Sequence, residues 1–323
     1  RVIRAADDVG IRIALLRTAY HRAGYDAATN PRQRRFTEPD VETYLARVDE
    51  LLDFAEGRDA VSVGLAPHSI RAVPRSWLEA ISDFGDARDL PIHIHACEQT
   101  GELEESVDEY GVTPIAAFEE IGFLDRRVTV VHATHVSERE LDLLAERGST
   151  VCACPTTERN LGDGFLPAEE LVERDVPICL GSDSHANIDP WEEMRLVEYH
   201  ERLQKQRRNV LADPDATDEN RRLVTARTLW PMGGAHGSRA LGLKSDSLSE
   251  EGLRDWLTVD LDDLSMVGTD RQALLSDLVF SSAPAAVRDV YVDGEAVIED
   301  GRHPDGEAIR REFAEIMRRL DSG

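Results

Sequence analysis

Short apolar runs alternate with longer amphipathic stretches along most of this chain. The runs at 10–16, 61–65, 92–96, 128–131, 150–154 and 176–180 read as strands. Apolar positions at helical spacing predict helices over 40–57, 74–86, 113–122, 137–147, 167–174 and 190–206. The first of these carries Val41, Tyr44, Leu45, Val48, Leu51, Leu52, Phe54 and Ala55 on one stripe. Pro74 sits where a proline suits a first helical turn. Ser137, with Glu140 three residues on, has the spacing of a capping box. The result is six β-then-α units. Strands apolar throughout, alternating with helices, imply a parallel sheet covered on both faces.

The polar residues that follow these strands narrow the architecture. His68, His95, His132 and Asp183 each stand at or just past the C-terminal end of a different strand. A (β/α)8 TIM barrel builds its active site at that end. A doubly wound sheet also binds ligands there, but polar groups from so many successive strands converge better in a closed ring. A barrel needs eight strands, and the chain opens inside a helical pattern. The expectation is therefore an N-terminally truncated barrel, with two βα units preceding Arg1. It spans 1–248. Residues 249–323 change character: strands at 256–261, 278–280 and 290–298, a hairpin signal at Asp293-Gly294, then a helix at about 306–320. They read as a small β annex. It is a possible homodimer surface, although no particular residue argues for that.

Charge adds a setting. There are 63 acidic against 37 basic residues, a net charge of -26. Such a surface repels phosphates and argues against nucleic-acid binding. Only Lys205 and Lys244 are lysines; every other basic residue is arginine. High net charge with ordinary apolar content suits a cytoplasmic protein in strong salt, where self-repulsion is screened within a few ångströms. A merely acidic protein is the plainer alternative. No apolar run is long enough to cross a membrane as a helix. Cys97, Cys152, Cys154 and Cys179 lie in apolar runs without a C-x-x-C pair, which reads as buried free thiols of a reducing compartment.

The candidate chemistry is metal-assisted hydrolysis. His93 and His95 are two apart on a strand and share a face. Glu98 follows His95 by three, a carboxylate placed to move protons beside a metal-binding imidazole. Taken alone, H-x-H-x-x-E is as well explained by a structural histidine and a solvated glutamate. His132 and Asp183 strengthen the metal reading, because capping alone does not explain three strand ends offering His, His and Asp. Imidazole and carboxylate oxygen suit one Zn2+ ion with a position open for water, and iron accepts the same donors. Arg71 could clamp a substrate carboxylate with its guanidinium fork; the alternative is a surface arginine. Tyr20 could offer its hydroxyl to a ligand or simply pack at the barrel mouth. The polar stretch 154–164 could place Glu158 or Asn160 at the site, or be a turn built for its own hydrogen bonds. His185 could line the site. His21, His135, His200, His236 and His303 carry no argued role.

At these residues the chain resembles the metal-dependent amidohydrolase superfamily and, within it, the formimidoylglutamate deiminases of histidine degradation. The matching stretches are 66–73, 91–99, 131–135, 154–164, 181–185, 192–199 and 207–211, spread over nearly the whole chain. The His-Ser-Ile-Arg of 68–71 and the Cys-Pro-Thr-Thr-Glu of 154–158 are the more specific among them. The resemblance implies that His95 and Asp183 ligate zinc and that Glu98 shuttles the proton from water to the departing ammonia. It implies that His132 orients the hydroxide. His68, Arg71 and Tyr20 would engage the substrate, with Arg71 on a carboxylate. The superfamily's first strand carries a His-x-His pair of further zinc ligands, and no such pair precedes Tyr20. His93-Ile-His95 belongs to the fifth-strand context beside Glu98. The chain alone is therefore expected to bind zinc poorly. Two rival readings remain: a superfamily deaminase acting on a purine, pyrimidine or triazine ring, and a barrel without its metal site that is no enzyme.

Overall fold

The computed structural model describes residues 1–27, 31–212, 224–243 and 255–321. Helix α1 (Val2–Val9) leads into β1 (Ile13–Ala19), α2 (Val41–Ala55), β2 (Val61–Pro67), α3 (Arg75–Arg88) and β3 (Ile92–Ala96). Then follow α4 (Thr100–Tyr110), α5 (Pro114–Glu120), β4 (Val128–His132), α6 (Glu138–Arg147), β5 (Thr150–Ala153), α7 (Pro155–Leu161), α8 (Ala168–Glu173), β6 (Ile178–Leu180) and α9 (Pro190–Lys205). The six strands form one sheet in chain order, every neighbouring pair parallel. They are six consecutive staves of a (β/α) barrel. The closed ring is not formed among the described residues: β1 and β6 are the two edges of the sheet.

The helices start where the sequence offers caps. Ser137 accepts from the Glu140 amide, and the Glu140 carboxylate accepts from the Ser137 amide at 2.8 Å. Asp40 caps α2 through the Thr43 amide at 2.7 Å, and Asp189 caps α9 through Trp191 and Glu192. Leu78 and Ile81 of α3, Phe118 of α5 and Leu144 of α6 are fully buried in one core with Leu65, Ile92 and Val130 of the strands. Gly64 on β2 is required by that packing. A Cβ there would lie 2.5 Å from Leu16 Cδ2 and 2.9 Å from the Pro91 carbonyl oxygen.

Beyond the sheet come α10 (Ala226–Leu229), α11 (Ala235–Ala240), β7 (Trp256–Val259), α12 (Leu274–Phe280), β8 (Val287–Val292), β9 (Glu295–Ile298) and α13 (Gly306–Asp321). Strands β7, β8 and β9 make an antiparallel sheet in that order. The expected boundary near residue 248 lies outside the described residues. The hairpin falls at Asp293 and Gly294, whose φ angles of 52° and 81° are those of a type I′ turn. As that signal implies, the run 290–298 is divided between β8 and β9.

Three expectations are corrected. The strand expected at 278–280 is the end of α12, where Leu275, Val279 and Phe280 turn inward at helical spacing. The strand expected at 10–16 begins at Ile13, because Gly10 at φ 73° ends α1. Residues 155–161 of the polar stretch are helical. The four cysteines are free and buried. No helix among the described residues is long and apolar enough to cross a membrane.

Candidate active site

The C-terminal ends of the first four strands place four aromatic rings in a row. Tyr20 follows β1, His68 follows β2, His95 ends β3 and His132 ends β4. Ring centroids are 4.9 Å apart from Tyr20 to His68, 4.9 Å from His68 to His95, and 5.6 Å from His95 to His132. His95 is locked by its neighbour strand. The His68 carbonyl accepts from the His95 amide at 3.0 Å and from its Nδ1 at 2.6 Å. That leaves Nε2 of His95 free to face outward as a lone-pair donor. Burial lowers the pKa of His95, against the opposing effect of this hydrogen bond. Burial, then the nearness of His95 and Arg71, push His68 down to about 3. It is neutral at pH 7.

Carboxylates gather on the far side of His132. Its Nε2 lies 3.7 Å from Glu98 Oε1 and 3.9 Å from Asp183 Oδ2, and its Nδ1 lies 3.3 Å from Glu158 Oε1. Burial works against the charged ring, but the hydrogen bond to Glu158 and the charges of Glu98, Glu158 and Asp183 outweigh it and raise His132. Burial, with Asp163 and Asp183 reinforcing it and His132 opposing, raises Glu98. A carboxyl held up beside an imidazole is suited to carry a proton.

The backbone is strained at these same points. Cys97, His132, Ala133 and Asp183 have φ of 55°, 76°, 54° and 44°. Residues other than glycine hold such angles at a cost of order 1–3 kcal/mol each, and they cluster at functional sites.

Behind Glu98 lies Glu102 of α4, 4% exposed, whose Oε2 accepts from the Glu98 amide at 3.1 Å. Burial pushes its carboxyl up to about 7 from the ordinary 4.5, against the Glu98 hydrogen bond and the charge of Arg71. The folded chain therefore holds this proton more tightly than the unfolded one. The stability this provides is full below pH 4.5 and is lost as pH rises to 7, by up to about 3 kcal/mol. Glu102→Gln keeps an acceptor and removes the charge. It is expected to raise Tm at pH 8 and to leave Tm unchanged at pH 4. Thermal scans at the two pH values check this; equal shifts would mean an ordinary carboxyl.

A cavity of about 500 Å3 opens beside Tyr20 and His68. Arg17, Arg35, Arg47, Gln33, Phe36 and Glu38 line it with them. Glu38 is buried and holds both Arg17 and Arg47 in ion pairs. Gln33 donates to the Tyr20 hydroxyl at 2.9 Å. Gln33 lies in a polar loop and gave no sequence signal. Arg71, just beyond His68, acts electrostatically on both His68 and Glu102. No ion pair occupies its guanidinium among the described residues.

The structure thus gathers Tyr20, His68, Arg71, His95, Glu98, His132 and Asp183 at one end of the sheet. In 154–164, Glu158 reaches His132 and also accepts from the Cys154 amide of its own stretch, while Asn160 is exposed. His185 is exposed. The remaining histidines serve packing. His93, His135 and His236 bond the carbonyls of Ala240, Asp163 and Ile178, and His21 and His303 those of Glu38 and Val9. His200 packs on Phe165.

The donor types here suit zinc. The free Nε2 of His95 and the carboxylate of Asp183 are ordinary zinc donors. Their number falls short, since a catalytic zinc takes three protein ligands. Among the described residues no group of three or more His, Cys, Asp or Glu side chains has the geometry to hold a metal.

Parallel strands in chain order with histidines and acids at their C-terminal ends define a barrel hydrolase, and the chain belongs to the amidohydrolase family, whose model matches residues 1–297. A formimidoylglutamate deiminase of Pseudomonas aeruginosa is 34% identical over 99% of this chain and 69% of its own length. A 5-methylthioadenosine/S-adenosylhomocysteine deaminase of Natronomonas pharaonis is 33% identical over 99% of this chain and 70% of its own length. An adenosine deaminase structure from Xanthomonas campestris, with bound zinc, superposes with a TM-score of 0.84 at 25% identity, covering 99% of this chain and 69% of that one.

Proposed function

We propose that this protein, with its zinc site completed by ligands beyond His95 and Asp183, catalyses the hydrolytic deamination of N-formimidoyl-L-glutamate to N-formyl-L-glutamate and ammonia. The observation that carries this reading is Arg71. It stands one turn past His68, beside the row of rings, with its guanidinium unpaired among the described residues. A glutamate substrate brings carboxylates that such a fork binds bidentately. Water adds to the formimidoyl carbon, the C–N bond to the terminal nitrogen breaks, and ammonia leaves. Glu98 takes the first water proton to the terminal nitrogen as the hydroxyl adds, then passes on the second from that hydroxyl as the carbonyl forms, so that nitrogen leaves as ammonia. His132, beside Glu98, holds the hydroxyl. Neutral His68 and the Tyr20 hydroxyl hold the substrate by hydrogen bonds.

Zinc is the proposed metal, and His95 and Asp183 are the donors this chain offers it. When bound, zinc supplies an acidified water. The remaining ligands would come from outside the described residues. The charge balance, the free thiols and the lack of a membrane helix among the described residues support a cytoplasmic setting rich in salt.

The relatives that deaminate 5-methylthioadenosine or S-adenosylhomocysteine favour a second reading, an aminopurine substrate. A purine needs an aromatic shelf; among the described residues the cavity has the rings of Tyr20, Phe36 and His68, beside three arginines that suit carboxylates. Ammonia release by the protein expressed from its full coding region, in molar salt with added zinc, decides between them. Release from formimidoylglutamate alone supports the proposal, and release from the nucleosides alone overturns it. Arg71→Met is expected to raise KM for formimidoylglutamate about 10- to 100-fold, as loss of a charged hydrogen bond of about 1.5–3 kcal/mol implies. Its kcat stays near the parent's. Steady-state kinetics measure both.

A further inference from the structure

Glu158 is the one carboxylate around His132 to which the reaction above gives no task. It lies on α7 and is 1% exposed. Its Oε1 sits 3.3 Å from His132 Nδ1 and accepts from the Cys154 amide at 2.9 Å. A carboxylate can only accept, so the imidazole nitrogen facing it carries a hydrogen. The opposite nitrogen, Nε2, faces Glu98 and Asp183 at 3.7 and 3.9 Å.

We propose that Glu158 is a positioning residue for His132, resting on the hydrolytic reading of the site. It fixes the hydrogen on Nδ1 and turns the ring so that Nε2 meets Glu98 and the reacting atoms. Two further observations support this. His132 and Ala133 leave β4 in left-handed conformation, so regular strand geometry does not set the direction of the ring. Glu158 is itself held. Thr156 donates to buried Glu193 through its amide at 3.1 Å and its hydroxyl at 2.5 Å, and Thr157 donates to the Ser182 carbonyl at 3.3 Å. The start of α7, which carries Glu158, is thus anchored to α9 and to the strand end that carries Asp183. A rigid outer partner of this kind is worth about 10- to 100-fold to a site when lost.

The competing role is a mere cap on the Cys154 amide. Glu158→Gln preserves the cap and the volume, but its amide can present either oxygen or NH2 to Nδ1. Glu158→Leu removes both functions. Nitrogen-15 NMR of histidine-labelled chain, without metal or substrate, reads the His132 tautomer directly. The parent is expected to show hydrogen on Nδ1, and E158Q and E158L a mixture of tautomers. In ammonia release, E158Q is expected to lose kcat about 10- to 100-fold, with KM and Tm near the parent's. A bare Nδ1 in the parent overturns the proposal, as does an E158Q variant with the parent's tautomer and kcat. The NMR result stands whichever substrate proves correct, so failure of the substrate reading and failure of this one are told apart.

Discussion

Glu98→Gln is expected to lower kcat about 100- to 10,000-fold, the span over which general acid–base catalysis contributes. KM should stay within about threefold, because the amide keeps the size and polarity of the carboxyl and Arg71 still holds the substrate. Geometry and charge both support this. The Glu98 carboxylate lies 3.7 Å from His132, its pKa is raised by burial, and its backbone amide is tied to Glu102. A carboxyl raised by burial and held beside an imidazole can take a proton and give it up again. Glutamine can do neither. An E98Q variant that keeps the parental kcat would remove Glu98 from the proton path and leave His132 as the next candidate. The parent and variant are compared by ammonia release at saturating substrate.

Glu198→Ala is expected to destabilise the fold by about 2–5 kcal/mol, at about 1–3 kcal/mol for each buried N–H group left without an acceptor. Glu198 lies on α9 and is fully buried. It accepts from Arg202 Nε at 2.6 Å and from the backbone amides of Val210 and Leu211 at 3.1 and 2.9 Å. Removing it leaves two buried N–H groups without an acceptor, while the part-exposed Arg202 guanidinium keeps Asn209. Urea titration in fixed molar salt measures the loss, and E198Q, which keeps one acceptor oxygen, should lose less. A change below about 1 kcal/mol would show that the segment after α9 is held by its apolar side chains, Leu211 above all. This cluster also joins two stretches that carry the family resemblance, 192–199 and 207–211. They are separate in sequence, and Glu198 ties one to the other.

The barrel staves were legible because a buried parallel strand is apolar throughout and its helix shows one apolar stripe. Strand-end chemistry was legible for the same reason: His95, His132 and Asp183 interrupt or follow apolar runs with no packing purpose of their own. Two helices near the site were not legible. The buried residues of α4 are Glu102 and Ser106, and those of α7 are Pro155, Thr156, Thr157 and Glu158. A helix that turns polar groups inward has no hydrophobic period to read. What holds such a helix is a partner distant in sequence, such as Glu193 for α7. A single chain read residue by residue does not show that pairing. The 278–280 run failed differently, since Val279 and Phe280 fit the inner face of a helix as well as a strand.

The left-handed backbone at the strand ends bears on how such a chain changes over generations. At Cys97, His132 and Asp183 the conformation itself would prefer glycine, which has no side chain to do chemistry. Asp183, partly open to solvent, could accept that exchange with little disturbance to the core. A lineage selected only for endurance would drift toward glycine there and gain robustness while turnover faded. A lineage selected for turnover must keep the less comfortable residue. What stands at position 183 in a relative is therefore a record of which demand that relative has answered.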